Sequence, residues 1–463
     1  MTTTSICPEA SAPASHQGPA TRARRRRALR APSAFAGFPQ AIWVIFAGTV
    51  VNRIGFLVGP FLVFFLGSRG IPASQTPYVL GALGAGNLIG PAVGGWLADR
   101  SSRKLTMLAG LLGTAAAQGA LFASPDAATM AVAAVALSAT ATMVPPAASA
   151  TLADNVGPTR RREAFALIGW AVNIGTAVAG VLGGYLAAHG YWMLFAIDAG
   201  TSVGYAVIVA LALPADRTKQ VGPQGSGTGT QDSTTAASAA DATSPAAATA
   251  TIPAIPAIAT TATTATDSGY GVVFRDRLTR RLLLLFAVQL FIYSLTESAL
   301  PLAIRTDGLS PAVMGLAAAV NAGLVVLLQP LATTVLARFA RTPVYVAGSA
   351  LVVAGVALTG LAHTPAAYAA TVAVWSVGEV VVGGAPAGLI ANLAPAHARG
   401  RYQGAFSWTW GAARFLALAA GTTAYTLAGP AFLWWGTLAA GVAATIGFAA
   451  LGPAIDRRSV EEA

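Results

Sequence analysis

Residues 94–104 read GGWLADRSSRK and place one aspartate close to three basic residues. On either side the sequence is almost entirely Ala, Leu, Val and Gly. The whole chain of 463 residues is 55% hydrophobic and only 10% charged. Soluble domains carry about 25% charged residues, so this composition excludes an ordinary soluble domain and predicts an integral membrane protein.

Twelve apolar stretches of membrane-spanning length are distributed along the chain, before and after this charged segment. About twenty apolar residues cross the hydrocarbon core as a helix, which satisfies its own backbone hydrogen bonds in lipid. The sequence therefore predicts an all-α integral membrane fold with two bundles of six helices. The predicted spans are 38–66, 76–98, 105–123, 127–150, 164–187, 192–213, 281–303, 312–337, 343–362, 366–391, 404–427 and 431–452.

The remaining residues divide the chain into five predicted regions. Residues 1–36 are a disordered basic tail, 37–213 the first bundle, 281–452 the second bundle, and 453–463 a C-terminal tail. Residues 214–280 between the bundles are rich in Ala, Thr and Ser with scattered Pro. This composition cannot build a core, so it predicts a cytoplasmic linker without fixed structure.

Basic residues are distributed unequally between the two predicted sides of the membrane. Nearly all of the 28 Lys and Arg residues fall in the tails, in the linker and in the loops that follow even-numbered spans. By the positive-inside rule, these regions and both termini are cytoplasmic in a multi-pass protein of the cell membrane. The same distribution explains the net charge of +11 without a nucleic-acid partner.

The segment 94–104 then lies at the cytoplasmic end of span 2. In sequence and position it resembles the loop signature of the major facilitator superfamily, G-x-L-x-D-R-x-G-R-[RK], with Ser102 in place of the second glycine. The matching residues are Gly95, Leu97, Asp99, Arg100, Arg103 and Lys104. The resemblance implies twelve helices in two repeats, with the substrate site between them.

Other segments resemble the drug:proton antiporter-1 branch, in its twelve-span multidrug-resistance group. They are TLADNVGPTRRREAF, WAVNIGTAVAGVLGG, VGEVVVGGAPAGLIANLAP and RGRYQGAFSWTWG. In span 5, Gly175, Gly183 and Gly184 match the antiporter signature, whereas Ala179 and Gly180 stand where Gly-Pro is usual. The arginine that many relatives carry in span 4 is also missing.

The charged segment suits a gate on the cytoplasmic side. A carboxylate accepts hydrogen bonds from the backbone N–H groups of a helix N-terminus, where the helix dipole favours negative charge. Asp99 is expected to make such a contact across the interface between the bundles and to lose it when the bundles rock. The predicted gate residues are Gly95, Asp99, Arg100, Arg103 and Lys104.

A few polar residues interrupt the predicted spans and are candidates for the cavity wall. Charges at membrane depth usually face a cavity or a partner, so Arg53 with Asn52 either lines the cavity or forms a structural ion pair. The uncharged candidates are Asn173, Gln289 and Asn321. For Arg414, in the cytoplasmic half of span 11, a structural role such as reaching the membrane interface is favoured over a functional one, and Asp198 is interpreted as a packing or capping residue.

Glu297 and Glu379 are the glutamates inside predicted spans. Burial in an apolar span disfavours the charged carboxylate, so such a group can take up a proton on one side and release it on the other. We expect both to couple transport to protons. The alternative is that either glutamate only packs or hydrogen-bonds within the bundle.

Glycines spaced four apart predict close helix packing. They are Gly86, Gly90 and Gly94 in span 2 and Gly180 and Gly184 in span 5. The four histidines stand singly and the one cysteine, Cys7, lies in the tail, so no metal site and no cofactor are expected.

Together these features predict a transporter and not an enzyme. The leading hypothesis is a monomeric secondary transporter in the lipid bilayer that exports small amphipathic compounds in exchange for protons. An importer or facilitator for a small metabolite is the alternative, because the span 4 and span 5 signatures are altered. A non-transporting membrane sensor or scaffold is the second alternative.

Overall fold

The computed structural model describes residues 37–156, 160–214, 271–336, 338–383, 385–395 and 398–461. The chain divides into two units, residues 1–38 and 39–463, and every helix below belongs to the second unit. The predicted N-terminal tail, 1–36, lies outside the described residues. So do residues 215–270, which make up most of the predicted linker.

In the first half of the second unit, the described residues form seven helices. They are α1 Gln40–Ile54, α2 Val58–Ser68, α3 Thr76–Arg100, α4 Arg103–Ala123, α5 Ala127–Asn155, α6 Arg161–His189 and α7 Tyr191–Ala212. Ser102 and Asp126 provide side-chain caps at the starts of α4 and α5. Asp126 accepts hydrogen bonds from the backbone N–H groups of Ala128 and Thr129, both at 2.9 Å, and so starts α5.

In the second half, eight helices lie within the part of the chain that the structure describes. They are α8 Gly271–Arg275, α9 Arg277–Thr306, α10 Ala312–Leu336, α11 Arg341–Leu358, α12 Pro365–Val382, α13 Ala385–Leu393, α14 Arg399–Leu416 and α15 Pro430–Glu461. A 3₁₀ turn, Thr359–Leu361, extends α11, and α14 continues through two π-helical segments, Ala417–Gly421 and Ala424–Ala428.

The twelve-span prediction is confirmed for ten helical segments of the described chain, which are long and apolar enough to cross a membrane. One of the ten, Gln40–Ser68, contains both α1 and α2. Two further long helical segments, Thr76–Arg100 and 399–428, lie where spans 2 and 11 are predicted. The chain is thus a multi-pass, all-α membrane protein.

Each half has an apolar cluster of its own, and a third apolar cluster contains residues of both halves. Within the first half, Gly86, Gly90 and Gly94 all face α5. A Cβ on Gly94, for example, would lie 2.6 Å from the carbonyl oxygen of Met143. The predicted close packing of these glycines is confirmed, but it joins two helices of one half and does not form the interface between the halves.

We call the end of the molecule that carries Arg100, Arg103 and Lys104 the basic side, and the other end the opposite side. Among the described residues, the halves meet where α6 packs on α10, where α3 packs on α14 and the π-helical segment after it, and where α2 packs on α9. The first pair approaches most closely on the opposite side, where a Cβ on Gly184 would lie 2.6 Å from the Cα of Gly315. Gly180 faces Ala318 one turn along.

Arg305 adds hydrogen bonds between the halves at the same end. Its guanidinium donates to the carbonyl oxygens of Val63, at 3.1 Å, and Ile71, at 3.4 Å. The described contacts therefore bring the halves together on the opposite side.

Two predicted boundaries of the second half are wrong. Helical structure begins at Gly271, inside the predicted linker, and α15 runs to Glu461 through the predicted tail 453–463. The physical reason is a polar anchor at Asp276, whose carboxylate caps α9, accepts from the Tyr402 hydroxyl at 2.9 Å and pairs with Arg458 at 2.7 Å. This anchor attaches both helix ends to the bundle.

Asp276 should make the stability of the second half depend on pH. Burial opposes its ionisation, but hydrogen bonds from Thr279 and Tyr402 and the charge of Arg458 outweigh burial, so the pKa of Asp276 lies below its ordinary value. A lowered folded-state pKa contributes stability that is present above the unfolded pKa, about 3.9, and is lost as pH falls through the folded pKa.

We therefore expect Asp276→Asn to lower the thermal unfolding temperature of the detergent-solubilised protein by a few degrees at neutral pH. The difference should shrink in acid below the unfolded pKa. Because Asn still caps a helix, the decrease in unfolding temperature reports the ion pair with Arg458. Adding Arg458→Gln to Asp276→Asn should therefore lower the stability little further. Equal losses at neutral and acid pH would contradict this assignment.

Candidate functional site

The first span is broken at membrane depth. α1 ends at Ile54 and α2 begins at Val58, and the carboxylate of Asp198 on α7 accepts from the backbone N–H groups of Leu57, at 3.4 Å, and Val58, at 3.3 Å. The interpretation of Asp198 as a capping residue is confirmed. A broken helix is tolerated in a membrane where its backbone is buried in protein or lines a cavity.

Two spans of the second half are also irregular. α12 ends at Val382, and Gly383 follows with φ +47°, a conformation that L side chains rarely adopt. α14 becomes π-helical from Ala417. Short π segments occur often at functional sites.

Charged residues lie at each of these irregularities. Arg53 is in the last turn of α1, Glu379 is in the last turn of α12, and Arg414 is in the last turn of α14 before the π segment. Breaks of this kind place charges in the protein interior, where transporters commonly bind substrates and ions.

Glu379 is held by uncharged partners. The Tyr293 hydroxyl donates to Oε1 at 2.8 Å, and the Asn321 amide donates to Oε2 at 2.7 Å. The same amide lies 3.0 Å from the Ser376 hydroxyl. The C-terminal end of a helix disfavours negative charge. Since these partners of Glu379 are uncharged, a proton can neutralise its carboxylate without breaking an ion pair among the described residues.

Glu297 is held by a charged partner. Its Oε2 lies 2.7 Å from Nη2 of Arg414, which joins α9 to α14. Arg53, from the first half, lies within electrostatic range of both Glu297 and Arg414, and Glu297 is similarly close to Glu379. Electrostatic interaction therefore relates Arg53 of the first half to the ion-paired and hydrogen-bonded residues of the second half. We call these residues the central cluster: Arg53, Tyr293, Glu297, Asn321, Glu379 and Arg414.

Aromatic rings border the central cluster. The Tyr293 ring lies 6.1 Å from the ring of Trp375 in an edge-to-face arrangement, and 6.2 Å from the ring of Trp410. Arg53 stands over the ring of Phe56, with its guanidinium carbon 5.5 Å from the centroid. The site thus combines charges with flat apolar surfaces.

The remaining cavity candidates have varied surroundings. Asn52 donates to the Ser202 hydroxyl at 3.2 Å, which connects α1 with α7. Gln289 is buried, and its Oε1 accepts no hydrogen bond within the described part of the chain. Asn321 belongs to the central cluster, whereas the side chain of Asn173 lies outside what the structure describes.

Arg414 corrects the sequence interpretation. It does not simply reach the membrane interface, because its guanidinium pairs with Glu297. The sequence offered the same signal for Arg414 as for Arg53, since each is a basic residue inside an apolar span. Identifying Glu297 as the partner of Arg414 required knowledge of which helices pack together. Sequence reasoning also missed Ser376 as a neighbour of Asn321.

The predicted gate motif anchors the loop between α3 and α4. Arg103 pairs with Asp154 and donates to the carbonyl oxygen of Ala150 at 3.1 Å. Lys104 donates to the carbonyl oxygens of Ala210, at 2.8 Å, and Leu213, at 2.6 Å, at the C-terminal end of α7, where the helix dipole favours a cation. Both basic residues thus make these contacts within the first half.

Asp99 differs from its basic neighbours. Its side chain is exposed, and no hydrogen bond or ion pair to it occurs within the residues that the structure describes. Arg100 lies over the ring of Trp96 at 5.0 Å, and a Cβ on Gly95 would meet only open space. The predicted contact of Asp99 across the bundle interface is not made in this conformation, and gating by Asp99 stays a prediction.

Metal-ligating side chains do not gather elsewhere in the described residues. No group of three or more His, Cys, Asp or Glu there could hold a metal ion. The central cluster, with arginines and amides beside two carboxylates, is suited to hydrogen-bonding and charge pairing with an organic molecule.

Comparison with known proteins agrees with this architecture. A family model described as Major Facilitator Superfamily matches residues 44–418. No curated protein sequence matches the chain significantly.

Solved transporter structures share the fold. The POT family transporter PepTSo superposes with a TM-score of 0.67 at 16% identity, covering 91% of this chain and 99% of that chain. An auto-inhibited POT family peptide transporter gives 0.63 at 16% identity, over 91% and 97%. A variant of the nucleoside transporter NupG gives 0.62 at 14% identity, over 88% and 99%. At these identities the likeness concerns the fold alone.

Proposed function

This chain belongs to the Major Facilitator Superfamily, and on that premise we propose that it is a secondary active transporter that exports small amphipathic compounds. The export is of the drug-efflux type and is driven by antiport of protons. Substrate and proton bind at the central cluster, which alternates between access from the two sides of the membrane.

The observation that carries the proposal is the environment of Glu379. Its carboxylate lies in the last turn of α12 and receives hydrogen bonds from Tyr293 and Asn321. Binding a proton there removes a charge that the helix end disfavours, and it breaks no ion pair. Protonating Glu297, in contrast, disrupts its pair with Arg414. We therefore assign proton uptake and release to Glu379, with Glu297 balancing the charge of Arg414.

The packing of the halves supports alternating access. Gly184 with Gly315, and Arg305 with Val63, hold the halves together on the opposite side. On the basic side Asp99 is exposed. This arrangement fits a conformation open toward the basic side, which we assign to the cytoplasm from the excess of Lys and Arg. When the halves rock, the opposite side opens and Asp99 engages the second half.

The finer assignment to the drug:proton antiporter-1 group rests on the four sequence segments that resemble it, among them WAVNIGTAVAGVLGG with Gly175, Gly183 and Gly184. The alternative is uptake or facilitated diffusion of a small metabolite. The structural neighbours described as peptide and nucleoside transporters keep this alternative open, although they resemble the chain only in fold. A sensor or scaffold is disfavoured by charges at membrane depth that a static protein does not need.

The test is transport by the purified protein in liposomes with an imposed pH gradient of either sign. Antiport predicts that substrate moves against the proton flow, and that reversing the gradient reverses its direction. Movement in the same direction as protons would establish an importer by symport. Equilibration without regard to the gradient would establish a facilitator, and no movement of any of a broad compound panel would favour a non-transporting role.

A further inference from the structure

The two arginines of the central cluster have more donor capacity than their partners use. Arg53 contacts the ring of Phe56 and has no hydrogen-bonded or ion-paired acceptor among the residues that the structure describes. Arg414 reaches Glu297 through Nη2, while its Nε is buried and lacks an acceptor within the same residues. A guanidinium has five N–H donors arranged for planar anions.

Unsatisfied cationic donors at membrane depth are costly. Among the described residues Glu297 pairs with Arg414 and not with Arg53. Glu379 is already held by Tyr293 and Asn321. An anion from outside the protein is the group that would complete this site.

We propose that the transported compounds carry an anionic group, such as a carboxylate, that binds jointly to Arg53 and Arg414. This inference rests on the proposed transport function and names the substrate class for the same site. Since Arg53 lies on α1 and Arg414 on α14, the anion connects the two halves. Charge-assisted, bidentate hydrogen bonds of this kind are among the strongest available to a protein.

The aromatic side chains beside the central cluster indicate the chemistry of the rest of the substrate. Tyr293, Trp375 and Trp410 lie next to the charged residues and offer flat apolar surfaces. Apolar walls with a few placed polar groups are typical of small-molecule sites. The substrate is therefore an amphipathic organic anion with an aromatic or other apolar body.

Glu297 is then the internal competitor of the substrate. Without substrate, its carboxylate neutralises Arg414; with substrate, the incoming anion shares or replaces that contact. Removing the negative charge of Glu297 should therefore strengthen anion binding, an effect that misfolding cannot imitate.

The experiment measures binding to the purified full-length protein in detergent, without any gradient. The probes are naphthoate, the neutral naphthamide and naphthylmethylammonium, which share one ring system and differ in charge. We expect naphthoate to bind at least about tenfold more tightly than either of the others, where tenfold corresponds to about 1.4 kcal/mol. Glu297→Gln should raise naphthoate affinity about tenfold and leave naphthamide affinity unchanged.

The arginine variants complete the test. Arg53→Gln, and Arg414→Gln combined with Glu297→Gln so that no lone charge remains, should reduce naphthoate affinity to that of naphthamide. Arg414→Lys should keep part of the preference, and Arg338→Gln, in an exposed turn, should have no effect. The proposal is overturned if naphthoate does not bind at millimolar concentration, if the amide or ammonium probe binds as tightly, or if Glu297→Gln weakens naphthoate binding. Because binding needs no coupling, these outcomes are independent of whether transport is antiport.

Discussion

Glu379→Gln is expected to abolish transport driven by a pH gradient, down to the level of empty liposomes, while substrate exchange without a gradient continues. Glutamine is permanently neutral and so imitates the protonated carboxyl in size and charge. It can still accept from the Tyr293 hydroxyl, which donates to Glu379 at 2.8 Å. The variant can therefore change conformation but can no longer exchange a proton for substrate.

The measurement compares two assays on the same proteoliposomes. Uphill transport under an imposed pH gradient should vanish, whereas exchange of labelled for unlabelled substrate at equal pH should persist. Glu163→Gln is the matched control, because Glu163 pairs with Arg160 on the basic side and is about half exposed. Glu297→Gln should also lose uphill transport, since Arg414 then lacks its counter-charge. If Glu379→Gln and Glu297→Gln both pump against the gradient at normal rates, proton coupling does not depend on these carboxylates.

Gly315→Ala is expected to separate the halves on the opposite side and to reduce transport strongly. A Cβ at this position would lie 2.6 Å from the Cα of Gly184 and 3.2 Å from the carbonyl oxygen of Gly180, so backbone atoms would have to move. Overpacking of this kind costs about 1–3 kcal/mol. Applied to one of two conformations, that cost shifts their ratio by about 5–150-fold. The conformation in which these glycines are apart does not incur it.

The readout is the distance between spin labels on the opposite side, measured by pulsed electron paramagnetic resonance. With Cys7 replaced by Ser, labels at Ala73→Cys and Ser310→Cys report on exposed loops of the first and second half. Gly315→Ala should shift the distribution to longer distances. Gly323→Ala is the control on the same helix, because a Cβ there meets no atom within 4 Å. An unchanged distribution with normal transport would show that the contact at Gly184 tolerates a methyl group.

Much of the architecture could be predicted because span length and side-chain polarity are local properties. An apolar run such as 312–337 is long enough to cross the hydrocarbon whatever its neighbours are, and it became α10, Ala312–Leu336. The glutamates and Arg53 were identified in the same way, as ionisable residues inside such runs. The boundaries at 280 and 453 failed because Asp276 and Arg458, far apart in sequence, extend two helices by pairing with each other.

By itself, the sequence determined the class of the protein, ten of its spans and the ionisable residues within them. Composition and the length of apolar runs decide these features without reference to any other segment. Tertiary structure decided which of those residues meet. Arg414 pairs with Glu297 because α9 packs on α14, and Arg53 of the first half lies within electrostatic range of both, at the end of α1 before the break that Asp198 caps. Packing and the helix breaks depend on contacts between distant segments, which no local pattern encodes.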